Sequence, residues 1–205
     1  MAVDVRTLGL RIAAPDDDMI LDLAPIQGLW TVEQYLKLTD HSRRLLEFTD
    51  GTIEVLPMPT DRHLVISRFL LFALFAFIQH TGGMVLYAPL RIQIREGKFR
   101  EPDLLLVRDA NDPRRQNRYW LGADLVVEIV SPDDPERDTK IKRAEYAKAG
   151  ILEYWIVNPE DDTITVLTLD GGSYREHGVF RRGEMATSVL LPMFAVAVDA
   201  TLDAN

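Results

Sequence analysis

The sequence predicts an α/β fold in which two neighbouring strands run parallel and are joined by a crossover helix. The main observation is the succession, over residues 125–157, of an apolar strand, a proline break, a helix, a glycine and a second apolar strand. Such a unit joins parallel neighbours within one sheet. Two further observations agree. An apolar helix over residues 62–80 needs a sheet to pack on, and an Asp-Gly pair at residues 50–51 is typical of a β-hairpin.

The composition indicates a soluble globular protein. The 205 residues are 47% hydrophobic and 27% charged, which favours one domain. We expect a loose N-terminal arm over residues 1–28 and a single domain over residues 29–205. The absence of cysteine excludes disulfides and thiolate metal sites. With no signal-like segment and no apolar run long enough for a bilayer, we expect a cytoplasmic protein without a membrane partner.

The other elements follow from local patterns. Thr31 with Gln34 predicts a capped helix, and Thr60 or Asp61 caps the helix over 62–80. That helix is apolar nearly all round, so we expect it to be buried on several sides, one of them against a second copy in a homodimer. We predict further strands over residues 45–48, 52–56, 84–94, 103–107 and 163–168, the last with one wet face, and short strands after residue 174.

Glu128 stands inside the apolar run of residues 125–130. Burying an unpaired carboxylate costs several kcal/mol or more, so this side chain needs a cation, a partner or solvent. Asp103 begins the preceding central strand. If the two strands pair antiparallel, both carboxylates reach the same edge of the sheet. Oxygen ligands of this kind suit a hard cation, and we therefore expect Mg²⁺ or Mn²⁺.

The crossover helix begins near Asp134 and ends at Gly150. Its period places Asp138, Lys142 and Tyr146 in one stripe, and a lysine there can reach the metal edge. Two carboxylates, a divalent metal and a lysine are a set of groups suited to phosphodiester hydrolysis.

Each of these residues also has a structural interpretation that the sequence leaves open. Asp103 can satisfy backbone donors at a strand start, Lys142 can pair with Asp138 one turn away, and His63 can belong to a helix cap. The net charge of −9 counts against a general nucleic-acid binder but allows a local basic patch. The basic residues that are either solvated surface or contacts to phosphates are Arg114, Arg115, Arg118 and Arg143.

Several short motifs occur in a fixed order along the chain. They are Glu-Pro-Asp at 101–103, Val-Val-Glu-Ile-Val-Ser-Pro at 126–132, Lys-Arg-Ala-Glu-Tyr at 142–146 and Glu-Tyr-Trp-Ile-Val-Asn-Pro at 153–159, with supporting segments at 31–36, 47–51 and 188–192.

In this order the chain, over about residues 30–200, resembles the Uma family of restriction endonucleases, within the PD-(D/E)XK nuclease superfamily. The resemblance implies a restriction endonuclease-like core: a helix, a three-stranded antiparallel meander, a crossover helix and a parallel strand, in a mixed sheet flanked by helices. It also implies Asp103 and Glu128 as metal ligands.

The catalytic lysine differs in position. In the superfamily's usual motif it stands two residues after the glutamate, which is Val130 here; the family's pattern places it on the following helix, where Lys142 matches. The superfamily often adds an acid from its first core helix. This sequence has none near the start of that helix, and Glu47 or His63 is the candidate substitute.

The expected function is a metal-dependent endonuclease acting on DNA, with Asp103, Glu128 and Lys142 as its catalytic residues and Tyr146 supporting the lysine. An alternative is a non-catalytic nucleic-acid-binding or assembly module on the same scaffold, suggested by the acidic charge and by Val130. A third interpretation is an oligomeric scaffold, suggested by the apolar helix.

Overall fold

The computed structural model describes residues 9–13, 18–22 and 24–205. Contacts within the chain divide it into two compact units: the first comprises Met1–Met58 with Gly97–Phe99, and the second comprises Pro59–Glu96 with Arg100–Asn205. This division does not coincide with the boundary placed at residue 28, and the single domain over residues 29–205 stays a prediction.

The described residues contain short strands and four α-helices. The strands are β1 (Gly9–Ala13), β2 (Asp18–Asp22), β3 (Leu46–Thr49), β4 (Thr52–Val55), β5 (Met84–Tyr87), β6 (Ile92–Arg95), β7 (Lys98–Arg100), β8 (Leu104–Val107), β9 (Leu125–Ile129), β10 (Glu153–Asn158), β11 (Thr163–Asp170), β12 (Ser173–Arg181), β13 (Met185–Thr187) and β14 (Ala195–Ala197). The helices are α1 (Val32–His41), α2 (Asp61–Ile78), α3 (Arg143–Lys148) and α4 (Val198–Leu202), with a 3₁₀ turn at Ala24–Ile26 and a π-helical segment at Arg137–Lys142.

The first unit holds the predicted cap and hairpin. Thr31 and Gln34 exchange hydrogen bonds that open α1, and β3 pairs with β4 around Gly51, whose φ is +86°. Tyr35 stacks on Phe48 with 5.1 Å between ring centroids. In the described part of the arm expected over residues 1–28, β1 and β2 form an antiparallel ladder. Backbone pairing of this kind needs no strong hydrophobic period.

The second unit is built on a six-stranded sheet in the order β12-β11-β10-β9-β8-β5. β5, β8 and β9 pair antiparallel in sequence, and β9 pairs parallel with β10. The mixed α/β architecture and the parallel pair are therefore as predicted. Gly150, with φ of +79°, ends the crossover helix and lets the chain return to β10.

Alternate residues of the central strands face two separate cores. Leu104 and Val127 pack with the buried stripe of α2, whereas Leu105 and Val126 pack with Tyr146 of α3. The central strands are covered on both faces, which is why β8 and β9 are apolar throughout. Val166 and Leu167 of β11 also lie in opposite cores, so the predicted wet face of this strand is wrong.

Helix α2 buries only one of its apolar faces within the chain. Its buried stripe is Ile66, Leu70, Leu74 and Ile78, whereas Phe72 and Phe75 are 63% and 56% exposed. The sequence predicts that one side of this helix meets a second copy of the chain, so these exposed side chains do not contradict it, and the second copy stays a prediction. Within the described residues, no helix is both long and apolar enough to span a bilayer.

Two elements differ from their predicted form. The strand expected over residues 84–94 is split into β5 and β6 around Pro89, because proline has no N–H for the ladder. The crossover helix begins as a π-helical segment, Arg137–Lys142. The apolar pattern of residues 84–94 is the same for one bent strand as for two strands, and the helical period of residues 137–142 is not specific for a π-helical turn.

Glu153, at the start of β10, is fully buried and accepts four hydrogen bonds. The indole of Trp155 and the hydroxyl of Ser188 donate to Oε1 at 2.7 and 2.6 Å. The backbone N–H groups of Val189 and Leu190 donate to Oε2 at 2.8 and 2.7 Å. The carboxylate thus fastens residues 188–190 to the sheet and explains why the two motifs at 153–159 and 188–192 occur together.

We predict that Glu153→Gln destabilises the protein, because the amide nitrogen would face backbone donors and leave buried N–H groups unsatisfied. The expected loss is about 2–4 kcal/mol in the free energy of unfolding, measured by urea denaturation. Glu176→Gln, at an exposed position of β12, is the control and is expected to change stability by less than about 0.5 kcal/mol. Equal midpoints for the two variants would contradict this role.

Candidate functional site

Two carboxylates meet where β8 begins and β9 ends. Leu104 is paired with Val127 in the antiparallel register, which places Asp103 beside Glu128. Both point to the sheet face that Tyr146 covers, because residues 105 and 107 of β8 and residues 126 and 130 of β9 lie in that core. The backbone N–H of Ile129 donates to Asp103 Oδ2 at 2.7 Å. The structure therefore brings these two predicted residues together.

Lys142 reaches this point from the crossover helix. Its Nζ lies 2.9 Å from Glu128 Oε2 and 3.0 Å from Asp138 Oδ1. The side chains of Lys142, Glu128 and Asp138 are only 5%, 3% and 6% exposed. The predicted pairing of Lys142 with Asp138, one turn back on its own helix, is therefore observed, and the ammonium also contacts the strand carboxylate.

Two aromatic residues fix the geometry around the lysine. The Tyr146 hydroxyl donates to Glu128 Oε1 at 2.5 Å, so it supports the glutamate that the lysine contacts. The Tyr154 hydroxyl donates to the backbone oxygen of Asp138 at 2.9 Å. The two rings meet edge to face with centroids 5.2 Å apart. The carboxylate and the helical turn are therefore each held by a buried phenol.

His63 contacts the other carboxylate of the pair. Its backbone N–H is capped by Thr60, while its imidazole Nε2 lies 2.8 Å from Asp103 Oδ1. Burial lowers the pKa of His63, but the hydrogen bond and charge of Asp103 outweigh burial, so the pKa is raised above its ordinary value. The side chain belongs to the site and the backbone to the cap.

The charges of this site are not balanced. Three carboxylates, those of Asp103, Glu128 and Asp138, face one ammonium and one imidazole. Burial raises the pKa of Glu128 to about 8; the Lys142 ammonium opposes this shift, and the charges of Asp138 and Asp103 add to it. A buried carboxylate that is costly to ionise beside other carboxylates is a place where an additional cation is stabilised.

The residues present fit a hard divalent cation. Mg²⁺ takes one or two protein carboxylates and keeps several waters, and Asp103 with Glu128 supplies such a pair. Across the described ranges, no three or more His, Cys, Asp or Glu side chains are gathered into a ready-made metal-binding set. The two carboxylates are therefore the donors that suit such a cation.

Arg100 was not predicted as a site residue. Its guanidinium binds Glu145 with two hydrogen bonds, Nε to Oε2 at 2.9 Å and Nη2 to Oε1 at 3.0 Å. The pair connects the segment leading to Asp103 with the helix that carries Lys142, and bidentate pairs of this kind are geometrically restrictive. The motifs at 101–103 and 142–146 are the sequence signal, because each lies beside one partner.

Two of the remaining predicted residues have partners in the connection between β8 and β9. Arg114 binds Asp112 and Asp124, and Arg115 binds the backbone oxygen of Ala110 and lies over the Trp120 ring. These two arginines hold the connection between β8 and β9, which favours a structural role over the predicted phosphate contacts. Arg118 and Arg143 are half-buried, the latter on α3. Glu47 is fully buried on β3 in the first unit.

Comparisons with known proteins give matches in both sequence and structure. The sequence model of the Uma2 family, described as "Putative restriction endonuclease", matches residues 32–199. Among solved structures, one similar chain is described as a "putative nuclease belonging to DUF820" from Anabaena variabilis ATCC 29413. It has a TM-score of 0.71 and 18% sequence identity, over 85% of this chain and 98% of the other. No curated protein gives a significant match.

We predict that Lys142→Met lowers the free energy of unfolding by about 3 kcal/mol, because it leaves Glu128 as a buried carboxylate without its cation. Adding Glu128→Gln should restore part of this loss. The control is Lys140→Met, whose side chain is 67% exposed and should contribute less than about 1 kcal/mol. Urea denaturation of wild type, Lys142→Met, Glu128→Gln and the double variant measures the coupling, and additive losses for residues 128 and 142 would contradict the pairing.

Proposed function

The chain belongs to the Uma2 family, and from this premise we propose that it is a metal-dependent endonuclease that hydrolyses phosphodiester bonds in DNA. The observation that carries the proposal is the convergence of Asp103, Glu128 and Lys142 from three different elements on one face of the sheet. Two strand carboxylates and an ammonium match the charge pattern that phosphoryl chemistry requires.

Asp103 and Glu128 are the residues that would hold Mg²⁺ or Mn²⁺. When bound, the ion supplies a Lewis acid for the phosphoryl oxygens and lowers the pKa of a coordinated water. His63 and the N–H of Ile129 fix the two oxygens of Asp103, and Tyr146 fixes one oxygen of Glu128. The protein thus orients both carboxylates before substrate arrives.

Lys142 provides the positive charge among the three proposed catalytic residues. Its ammonium lies at the carboxylate pair with three N–H donors, and it is buried where electrostatic interactions are weakly screened. In this position it would orient the attacking water by a hydrogen bond and stabilise negative charge that develops on the phosphoryl oxygens. Exclusion of bulk water by the surrounding aromatic residues would strengthen both interactions.

We predict that the protein nicks supercoiled plasmid DNA with Mg²⁺ or Mn²⁺ and not with excess chelator. Asp103→Asn and Glu128→Gln should each reduce the rate by roughly 100-fold, because each removes a charged oxygen donor from the carboxylate pair. Asp170→Asn, at an exposed position, is the matched control and should cleave normally. Gel electrophoresis over time provides the rates.

The same assay separates the competing functions. Retardation of the plasmid without nicking at any metal concentration would favour the non-catalytic binding module. Undiminished nicking by both site variants would contradict the assignment of Asp103 and Glu128. Folding of each variant is checked by circular dichroism, so that lost activity is not mistaken for lost structure.

Arg143, half-buried and next to Lys142 on the chain, remains the strongest of the proposed phosphate contacts. We predict that Arg143→Ala weakens duplex binding equally for all sequences and lowers the slope of log affinity against log salt by about 1. Fluorescence anisotropy with a labelled duplex in chelator measures this. Arg175→Ala, on β12, should leave the slope unchanged; identical slopes for wild type and Arg143→Ala would exclude the contact.

A further inference from the structure

Lys142 contacts a second carboxylate that the chemistry above does not use. Asp138 Oδ1 lies 3.0 Å from the ammonium, almost as near as Glu128 Oε2 at 2.9 Å. All three side chains are buried, so neither contact is a loose surface pair. A buried ammonium shared by two carboxylates has one more partner than charge neutrality requires.

Asp138 is held in place independently of Glu128. It lies on the π-helical segment Arg137–Lys142, and its backbone oxygen accepts a hydrogen bond from the hydroxyl of Tyr154 on β10. π-Helical turns inside helices are frequent at functional sites. The turn and the Tyr154 hydrogen bond fix the backbone of Asp138, and the carboxylate contacts the lysine from the same segment.

A divalent cation at Asp103 and Glu128 would change the balance of these contacts. The ammonium of Lys142 and the cation would compete for Glu128, and two positive centres at one carboxylate repel each other. Asp138 offers the ammonium a contact that is outside the proposed ligand pair. With that contact, Lys142 can stay in the site while the Glu128 carboxylate binds the cation.

We propose that Asp138 is a positioning residue that retains the Lys142 ammonium and thereby leaves Glu128 available to the divalent cation. This inference rests on the metal-dependent function proposed above. Asp138 should therefore affect metal affinity only when Lys142 is present. A metal ligand or a residue that only packs would affect it equally with and without the lysine.

The test is a double-mutant cycle with Mn²⁺ affinity, measured by titration calorimetry, as its readout. Asp138→Asn should weaken Mn²⁺ binding roughly 10-fold while Lys142 is present, because the ammonium then depends on Glu128 alone. In the Lys142→Met background, where there is no competitor, the same change should cost about 3-fold or less. An equal loss in both backgrounds, or no loss beside Lys142, overturns the proposal.

A second readout needs no metal. In protein labelled with ¹⁵N-lysine, an ammonium held by two buried carboxylates exchanges slowly with water and gives its own NMR signal, assigned by its absence in Lys142→Met. Asp138→Asn should broaden or remove that signal through faster exchange. A signal that persists unchanged shows that Asp138 does not hold the lysine and overturns the proposal.

The two readouts separate this inference from the proposed function. If wild-type protein binds Mn²⁺ but Asp138→Asn changes neither readout, the inference fails and the metal site stands. If wild-type protein binds no Mn²⁺, the metal site fails, and with it the part of the inference that concerns Glu128. Thermal unfolding is measured first; if Asp138→Asn does not fold, Asp138→Ser takes its place in the cycle.

Discussion

The structure of the site depends on one constraint, which is that Glu128 is a carboxylate inside an apolar strand of a sheet covered on both faces. Leaving it unpaired would cost several kcal/mol, and β9 has no cation of its own. The crossover helix therefore has to deliver one, and Lys142 does so at 2.9 Å. Tyr146, one turn later, supplies the hydrogen bond to the other oxygen. The helix that joins the two parallel strands thus also neutralises the charge of Glu128.

A second buried glutamate in the same sheet has quite different surroundings from Glu128. Glu153 on the adjacent strand accepts four hydrogen bonds, all from neutral donors. Its charge is satisfied by dipoles and it serves to fasten the C-terminal segment. Glu128 is instead surrounded by groups that carry charge, so any change in its partner alters the whole cluster. Burial among charged neighbours, rather than burial alone, is the feature that Glu128 shares with functional carboxylates.

Much of this arrangement could be predicted from sequence, because it rests on short-range patterns. The proline break, the glycine at residue 150 and the two apolar runs predict the parallel pair, and antiparallel pairing of the preceding strand brings Asp103 to Glu128. Contacts that depend on distant partners could not be predicted. His63, for example, contacts Asp103 across 40 residues. The partners of Arg114 are near in sequence, but only the folded loop brings them to its guanidinium. The π-helical segment has no residue pattern of its own.

Successive side chains of a strand point to opposite faces of the sheet, and this explains why a lysine on the crossover helix can replace one on the strand. Residue 130, where the superfamily's usual motif has its lysine, points to the same face of the sheet as residue 128. In this chain it is Val130, which is buried against that face together with Tyr146 and Ala147. The helix that covers Val130 is the helix that carries Lys142. Moving the lysine from strand to helix therefore keeps its ammonium on the same side of Glu128. What changes is that a second carboxylate, Asp138, accompanies it on the helix.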